Sequence, residues 1–380
     1  MLGNAKWTEA AVLGAGPAGL AMAGELAAQG VKTTVYAPDP FAPWTASYGT
    51  FEKLLPDAYQ GAVRFRFERP LWITRQGQSG ELNAPYVRLD TIRLQGSLLE
   101  RARGHGVEFV ARSVESLKRE AFRDQAVVDA TGRTADDRGR TRYQTAYGMW
   151  ARVAPAEWLA EGRMIFMDLR PATADAPARL PPSFLYATRE GQYHFFEETV
   201  LVSDEPCAFE VLAERLKVRL SALGLAIVEV EREERCVIAM GGALPSNPIR
   251  SNRVAFGARA GLTQPASGYQ LARCLELAPR VAKSLASGAS PETSAALARA
   301  QLWSLERRAT YALFDYGAEV LAGFGQEELT AFMEVFLGMP EAELIQFIDG
   351  RLGLGGALRI MTRTFSKVNR DLKWRLLRVV

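Results

Sequence analysis

Glu197 and Glu198 stand side by side in an aromatic run, Tyr193-His-Phe-Phe-Glu-Glu-Thr199, that otherwise reads as a β-strand. A carboxyl group among aromatic rings can keep its proton near neutral pH, because apolar burial disfavours the charged form. Such an acid suits proton delivery to an oily substrate. The two acids cannot serve one cavity together, since successive side chains in a strand face opposite ways. Glu197 shares a face with Tyr193, Phe195, Thr199 and Leu201, and Glu198 shares the other with His194, Phe196, Val200 and Val202. Tyr193, Phe195, Phe184 and Tyr186 are candidates to line a substrate cavity and hold a transient cation on their ring faces. Asp168 and Arg170 either position Glu197 or close an ion pair at the surface, and the surface pair is the expectation.

A second chemistry sits near the N-terminus. Ala10–Leu13 reads as a short apolar strand, Gly14-Ala-Gly-Pro-Ala-Gly19 follows at once, Leu20–Gln29 reads as a helix closed by Gly30, and Lys32–Tyr36 as a second strand. This strand–loop–helix–strand order is what gives a Gly-x-Gly-x-x-Gly run meaning. Gly14 permits the tight turn, Gly16 lets backbone approach a pyrophosphate, and Gly19 lets helix and strand pack closely, with Pro17 opening the helix. The helix N-terminus then offers N–H groups and a positive dipole end to phosphates. An acid usually ends the second strand and binds ribose; here Ala37 takes that place and Asp39 is the candidate substitute. Two later segments point to FAD. Ala126-Val-Val-Asp-Ala-Thr-Gly-Arg133 is similar to the strand and Ala-Thr-Gly element of flavoproteins and contributes Thr131 and Gly132. The stretch 253–269 is similar to their third element and contributes Gly257, Gly261, Pro265 and Gly268.

These sites must be carried by an ordinary globular chain. At 380 residues there is material for two or more subdomains. A net charge of +3 makes no case for nucleic acid. Three scattered cysteines form no metal-spaced pair and fit a reducing compartment. Two histidines exclude a histidine metal cluster, and neither lies near a nucleophile elbow. No signal or transit peptide is visible, and no run reaches the roughly 18 apolar residues of a spanning helix.

The flavin elements are scattered, which implies an α/β fold. A discontinuous Rossmann-type FAD-binding domain is expected over 1–64, 86–142 and 232–292, with an antiparallel β-sheet substrate domain over 65–85 and 143–231. A helical C-terminal extension is expected over 293–380, a helix near 208–223, and an exposed loop at Asp175–Pro182. The stretch 357–380 reads as one amphipathic helix. Met361, Phe365, Val368, Leu372, Leu376 and Val379 form its stripe, opposite a basic side of Arg359, Arg363, Lys367, Arg370 and Arg378. Residues 351–380 hold eight Lys/Arg against one acid, which suits either peripheral binding to an anionic membrane surface or a helix docked on its own domain with its basic side in water.

The chain resembles the lycopene cyclase family along nearly its whole length. Phe195-Phe-Glu-Glu-Thr199 is similar to the family's Phe-Leu-Glu-Glu-Thr signature. Tyr86-Val-Arg-Leu-Asp90, Tyr143–Gly148, Phe166–Arg170, Met240–Pro245, Pro265–Tyr269 and Leu302–Arg308 each resemble a family segment in order. Gln264 stands where His is common, and Thr45-Ala-Ser47 and Thr50-Phe51-Glu52 also depart from the pattern. The resemblance implies closure of a β-ring at the end of lycopene, adding one proton and removing another with no net oxidation. It implies Glu197 as the acid–base residue, reduced FAD in a non-redox role, NAD(P)H as reductant, and a cytoplasmic protein at the membrane surface. The number of polyene ends closed, the choice of β- or ε-ring, the electron donor and the oligomeric state stay open. A flavin monooxygenase, an isoprenoid reductase and a non-catalytic carotenoid-binding flavoprotein are the alternatives.

Overall fold

The computed structural model describes residues 7–116, 122–132, 141–172, 180–246 and 250–377. Strand β1 (Glu9–Leu13) is buried throughout residues 10–13, as befits a central parallel strand covered on both faces. It pairs in parallel with β2 (Lys32–Ala37), in a sheet ordered β15 (Arg253–Ala255), β9 (Ala126–Asp129), β1, β2 and β8 (Glu108–Ala111). Helix α1 (Pro17–Ala28) makes the crossover from β1 to β2 and is built mainly of small residues. Its closeness to the strand is demanding: a Cβ at Gly19 would fall 1.9 Å from the Gly14 carbonyl oxygen. Helix α2 (Thr91–Gly104) begins at Asp90, whose carboxylate accepts the Arg93 N–H at 3.0 Å. Helices α4 (Leu271–Ala286) and α5 (Pro291–Leu302) complete this layer.

A seven-stranded sheet stands against it, ordered β14 (Ala226–Met240), β10 (Arg142–Ala154), β13 (Tyr193–Ser203), β12 (Ser183–Glu190), β11 (Met164–Asp168), β5 (Leu71–Ile73) and β6 (Ser79–Glu81). All its pairings are antiparallel except β11 with β5. One face is covered by α3 (Phe209–Ala222), whose Leu212, Leu216 and Leu220 pack with Tyr147, Met149, Phe196 and Val200. The other face joins a second core with α6 (Leu305–Ala322), α7 (Gln326–Leu337), α8 (Glu341–Ile348), α9 (Leu354–Lys367) and α10 (Arg370–Leu377). A small sheet of β3 (Gly49–Phe51), β7 (Tyr86–Leu89) and β4 (Val63–Phe67) lies alongside.

Three expectations change. The domain boundary placed at 231/232 falls inside β14, which pairs with β10 from Ala226 to Met240, so residues 232–240 lie in the antiparallel sheet. The single amphipathic helix of 357–380 is two helices, because Val368 is extended (φ −69°, ψ 158°) and Asn369 accepts the Leu372 N–H at 2.9 Å to start a new turn. Its basic side is also divided, since Arg359 and Arg363 both donate to Glu343, at 3.0 and 2.9 Å. Arg133, most of the Asp175–Pro182 loop, Arg378 and Val379 lie outside the described residues.

Candidate functional site

A cavity of about 1100 Å³ runs between the two large sheets and the C-terminal helices. Its lining begins at the phosphate-type loop Gly14–Ala18, with Ala37 and Pro38 at the end of β2 and Thr131 and Gly132 after β9. It continues over β10, β12 and β13 and reaches α6 to α10 through residues such as Phe336, Phe347 and Phe365.

At the loop, Gly14 has φ +103° and a Cβ there would lie 2.6 Å from the Ala130 carbonyl oxygen, so the turn requires glycine. Gly16 differs: a Cβ there would meet nothing within 4 Å, because the position opens on the cavity. Helix α1 has no side-chain cap, so its first N–H groups are left for a ligand. An open cradle, uncapped helical N–H groups and small neighbours fit the pyrophosphate of a dinucleotide. Pro17 and Gly268 also line the cavity. Other expected flavin contacts do not. Asp39 is exposed and its carboxylate accepts the Phe41 N–H at 3.0 Å, closing its own turn. Glu115 and Ser113 line the cavity close to Ala37 instead, hydrogen-bonded to each other at 3.0 Å. Gly257 sits behind the loop, where a Cβ would press on Ala18, and Gly261 and Pro265 line a separate pocket of about 290 Å³.

The paired acids separate as strand geometry demands. Glu197 opens on the cavity with Phe195, Thr199 and Leu201, and Thr199 donates to its Oε2 at 3.2 Å. Burial pushes the Glu197 carboxyl up to about 7, and the charge of Glu234 adds to the rise, while Arg88 and the Thr199 hydrogen bond oppose it. Glu198 points the other way into a dry ion pair. Arg219 donates to both its oxygens at 2.7 and 2.8 Å, and Ser183 adds a third bond at 2.6 Å. The strand itself is central, between β10 and β12, so neither acid lies on an edge.

The aromatic expectations divide. Phe184, Tyr186 and Phe195 line the cavity. Tyr193 shares their strand face but is not among the lining residues; it starts β13, opposite Glu190. Phe195 is already engaged by a cation of the protein: the Arg88 guanidinium sits 4.3 Å from its ring centre, and Trp150 packs at 4.2 Å. Arg88 is in turn paired with Glu190 at 3.4 Å. Other rings that line the cavity include Phe184, Tyr186, Tyr86 and Phe166. Tyr86 and Tyr269 share a hydrogen bond between their hydroxyls at 2.9 Å, and burial holds both well above the usual phenol range. Asp168 and Arg170 pair with each other at 2.9 Å and do not hold Glu197. Their pair is not a surface one at the acid end, since Asp168 is fully buried.

Sequence reasoning missed Arg88, Glu234, Cys236 and the helical lining of the cavity. Tyr86 and Arg88 lie in Tyr86–Asp90, a segment that resembles one of the family's, so the sequence carries a signal for them. Glu234 lies in a charged run, Glu229–Arg235, that reads as an exposed strand. No group of His, Cys, Asp and Glu able to hold a metal occurs among the described residues.

The parallel sheet, the glycine loop and the antiparallel roof define an FAD-binding Rossmann-type fold of the kind used by flavin-dependent oxidoreductases. Solved structures of like fold include a geranylgeranyl bacteriochlorophyll reductase-like protein from Thermoplasma acidophilum, with TM-score 0.67 and 12% identity over 97% of this chain and 98% of that one. Another is CtdE, solved with FAD, with TM-score 0.56 and 13% identity over 85% of this chain and 89% of that one. Within that class the sequence is decisive: the family described as lycopene cyclase protein matches residues 9–373, and the chain belongs to it. It is 30% identical to the lycopene beta cyclase of Synechococcus elongatus over 97% of this chain and 95% of that protein. It is 32% identical to an uncharacterized carotenoid cyclase of Deinococcus radiodurans over 94% of this chain and 89% of that protein.

Proposed function

We propose that this protein closes the linear end group of lycopene, or of a related carotenoid, to a β-ring. The observation that carries this reading is Glu197: an acid that keeps its proton near neutral pH and opens on an aromatic cavity continuous with the dinucleotide cradle. A hydrocarbon offers no basic atom, so cyclisation needs a strong donor placed where water does not compete. Glu197 delivers the proton to the terminal double bond, with Thr199 orienting its carboxyl. Tyr186, Phe184, Tyr86 and Phe166 exclude water and offer ring faces to the cation.

FAD is held by Gly14, Gly16, Pro17 and the α1 N-terminus, with Thr131, Gly132 and Gly268 along the same cavity. When bound in its reduced form, which NAD(P)H would generate, it would supply an electron-rich surface that stabilises positive charge without net redox change.

The protein takes its substrate at a membrane surface. No helix among the described residues is long and apolar enough to cross a membrane. The cavity lining includes Leu358 and Leu377, which are 46% and 57% exposed, and Trp374, on the same helix as Leu377, is 54% exposed. Lys367 and Arg370 join the two helices there, with no ion pair to either among the described residues.

Expression in lycopene-accumulating bacteria, followed by absorbance and chromatography, tests the activity. Conversion to ring-bearing carotenoid is expected. Lycopene recovered unchanged from cells containing flavin-loaded protein would leave a carotenoid-binding flavoprotein as the reading. A saturated or hydroxylated product would point to a reductase or a monooxygenase.

A further inference from the structure

Cyclisation removes a proton as well as adding one, and the seven-stranded sheet places a second carboxylate in the same cavity. Gly148 of β10 lies directly opposite Glu197 of β13 on one side and Glu234 of β14 on the other. Residues directly opposite in a sheet project to the same face, so the two acids stand on one face with a residue lacking a side chain between them. Two strand spacings separate their backbones by about 10 Å. Ala146 repeats the pattern one step along, between Thr199 and Cys236. The Phe195 ring lies over Gly148, where a Cβ would meet it at 2.6 Å, so an aromatic ring floors the space between two flanking strands that each carry one carboxyl group. Glu197, Thr199, Glu234 and Cys236 all line the cavity.

Glu234 is also aimed. Its Oε1 accepts the Ser47 backbone N–H at 2.9 Å, which ties it to the loop before β3. After burial, its charge is the largest influence raising Glu197, so the two carboxyl groups interact. Their surroundings differ: Glu197 sits on a central strand, and Glu234 on the edge strand β14, which is largely exposed along its length.

We infer that Glu234 is the base of the ring closure, receiving the proton that the cyclised cation releases, with Glu197 as the acid. The inference rests on the cyclase reading. The terminal double bond takes the proton of Glu197. The electron pair of the neighbouring double bond closes the ring carbon–carbon bond and leaves a tertiary cation. A C–H next to that cation gives its proton to the Glu234 carboxylate, and the C–H electron pair becomes the ring double bond. Glu197 ends as carboxylate and Glu234 as acid. Proton exchange with water resets both, and no electron enters or leaves.

A tertiary cation can lose a proton from any of its neighbouring carbons, so the position of the base sets where the ring double bond forms. This supplies a readout that a packing role would not move. The experiment compares wild type with Glu234→Gln, Glu234→Asp and Glu234→Ala, each matched for bound FAD, on lycopene in vesicles with reduced flavin. Glu234→Gln is expected to lower kcat about 100-fold or more with KM near wild type, and to shift part of the product to rings with the double bond elsewhere. Glu234→Asp keeps the β-ring at a reduced rate. Added formate restores turnover to Glu234→Ala. Wild-type kcat with only the β-ring in Glu234→Gln would overturn the assignment. So would a slow, β-only Glu234→Gln paired with a Glu234→Ala that formate does not help. A wild-type protein that leaves lycopene linear would overturn the cyclase reading itself, and with it the role given to Glu234.

Discussion

Arg219 donates to both oxygens of Glu198, at 2.7 and 2.8 Å, with both side chains almost wholly withdrawn from water. This pair fastens α3 to the face of the sheet away from the cavity, directly behind the strand that presents Glu197. Two adjacent glutamates thus have unlike tasks, one paired with a buried guanidinium and one opening on the cavity.

Glutamine at the two positions should separate those tasks. Glu197→Gln should lower turnover about 10²–10⁴-fold while leaving FAD content and the unfolding midpoint near wild type. Glu198→Gln removes one charge from a buried pair and should cost about 3–5 kcal/mol of stability. Urea unfolding and turnover per bound flavin, measured on both proteins, test this. An active Glu197→Gln enzyme would remove Glu197 from the mechanism.

The pH profile follows from the raised Glu197 carboxyl. The protonated form is the donor, so kcat/KM should fall as pH rises through about 7. Besides burial, the groups that act on it are Glu234, which raises it, and Arg88 and Thr199, which lower it. Glu234→Gln removes a like charge, so in any residual activity the falling limb should move to lower pH. A limb that stays in place in that variant would show that the titrating group is not Glu197.

Valine at the two loop glycines should give different failures. A Cβ at Gly14 collides with the Ala130 carbonyl oxygen and Gly14 is at φ +103°, so Gly14→Val should lose both stability and FAD. A Cβ at Gly16 meets no protein atom within 4 Å, so Gly16→Val should keep the apoprotein's thermal midpoint and lose FAD. Flavin absorbance per chain and thermal unfolding separate the cases. A Gly16→Val protein with full flavin content would place the pyrophosphate elsewhere.

Reduced flavin should be required but not consumed. Anaerobic enzyme given oxidised FAD and no reductant should leave lycopene linear, and reduction by NAD(P)H should start turnover with the flavin still reduced at the end. Full turnover with oxidised FAD would contradict the proposed role of the reduced form.

Membrane contact should depend on the junction of α9 and α10. Each basic residue near an anionic leaflet contributes about 1 kcal/mol, screened by salt. Changing Lys367 and Arg370 to Gln should weaken pull-down by anionic vesicles several-fold, and Trp374→Ala should weaken it further at high salt. Arg359 and Arg363, engaged by Glu343, should matter less. Vesicle binding insensitive to salt and to all three changes would rule out this face.

Local rules made much of this protein readable. The glycine loop between β1 and α1 follows from backbone sterics, and the opposite facing of Glu197 and Glu198 follows from the two-residue period of a strand. Both depend on residues near in sequence. What surrounds each acid does not. Arg219 reaches Glu198 from a helix, Arg88 engages Phe195 from another sheet, and Glu234 comes opposite Gly148 only because β14 pairs with β10. In the same way, 357–380 carries an amphipathic period, yet an extended Val368 breaks it in two and Glu343 takes two of its charges. Periodicity records which face of an element is apolar; the partner that covers that face, and therefore the electrostatics of the site, is set by chain segments that meet only on folding.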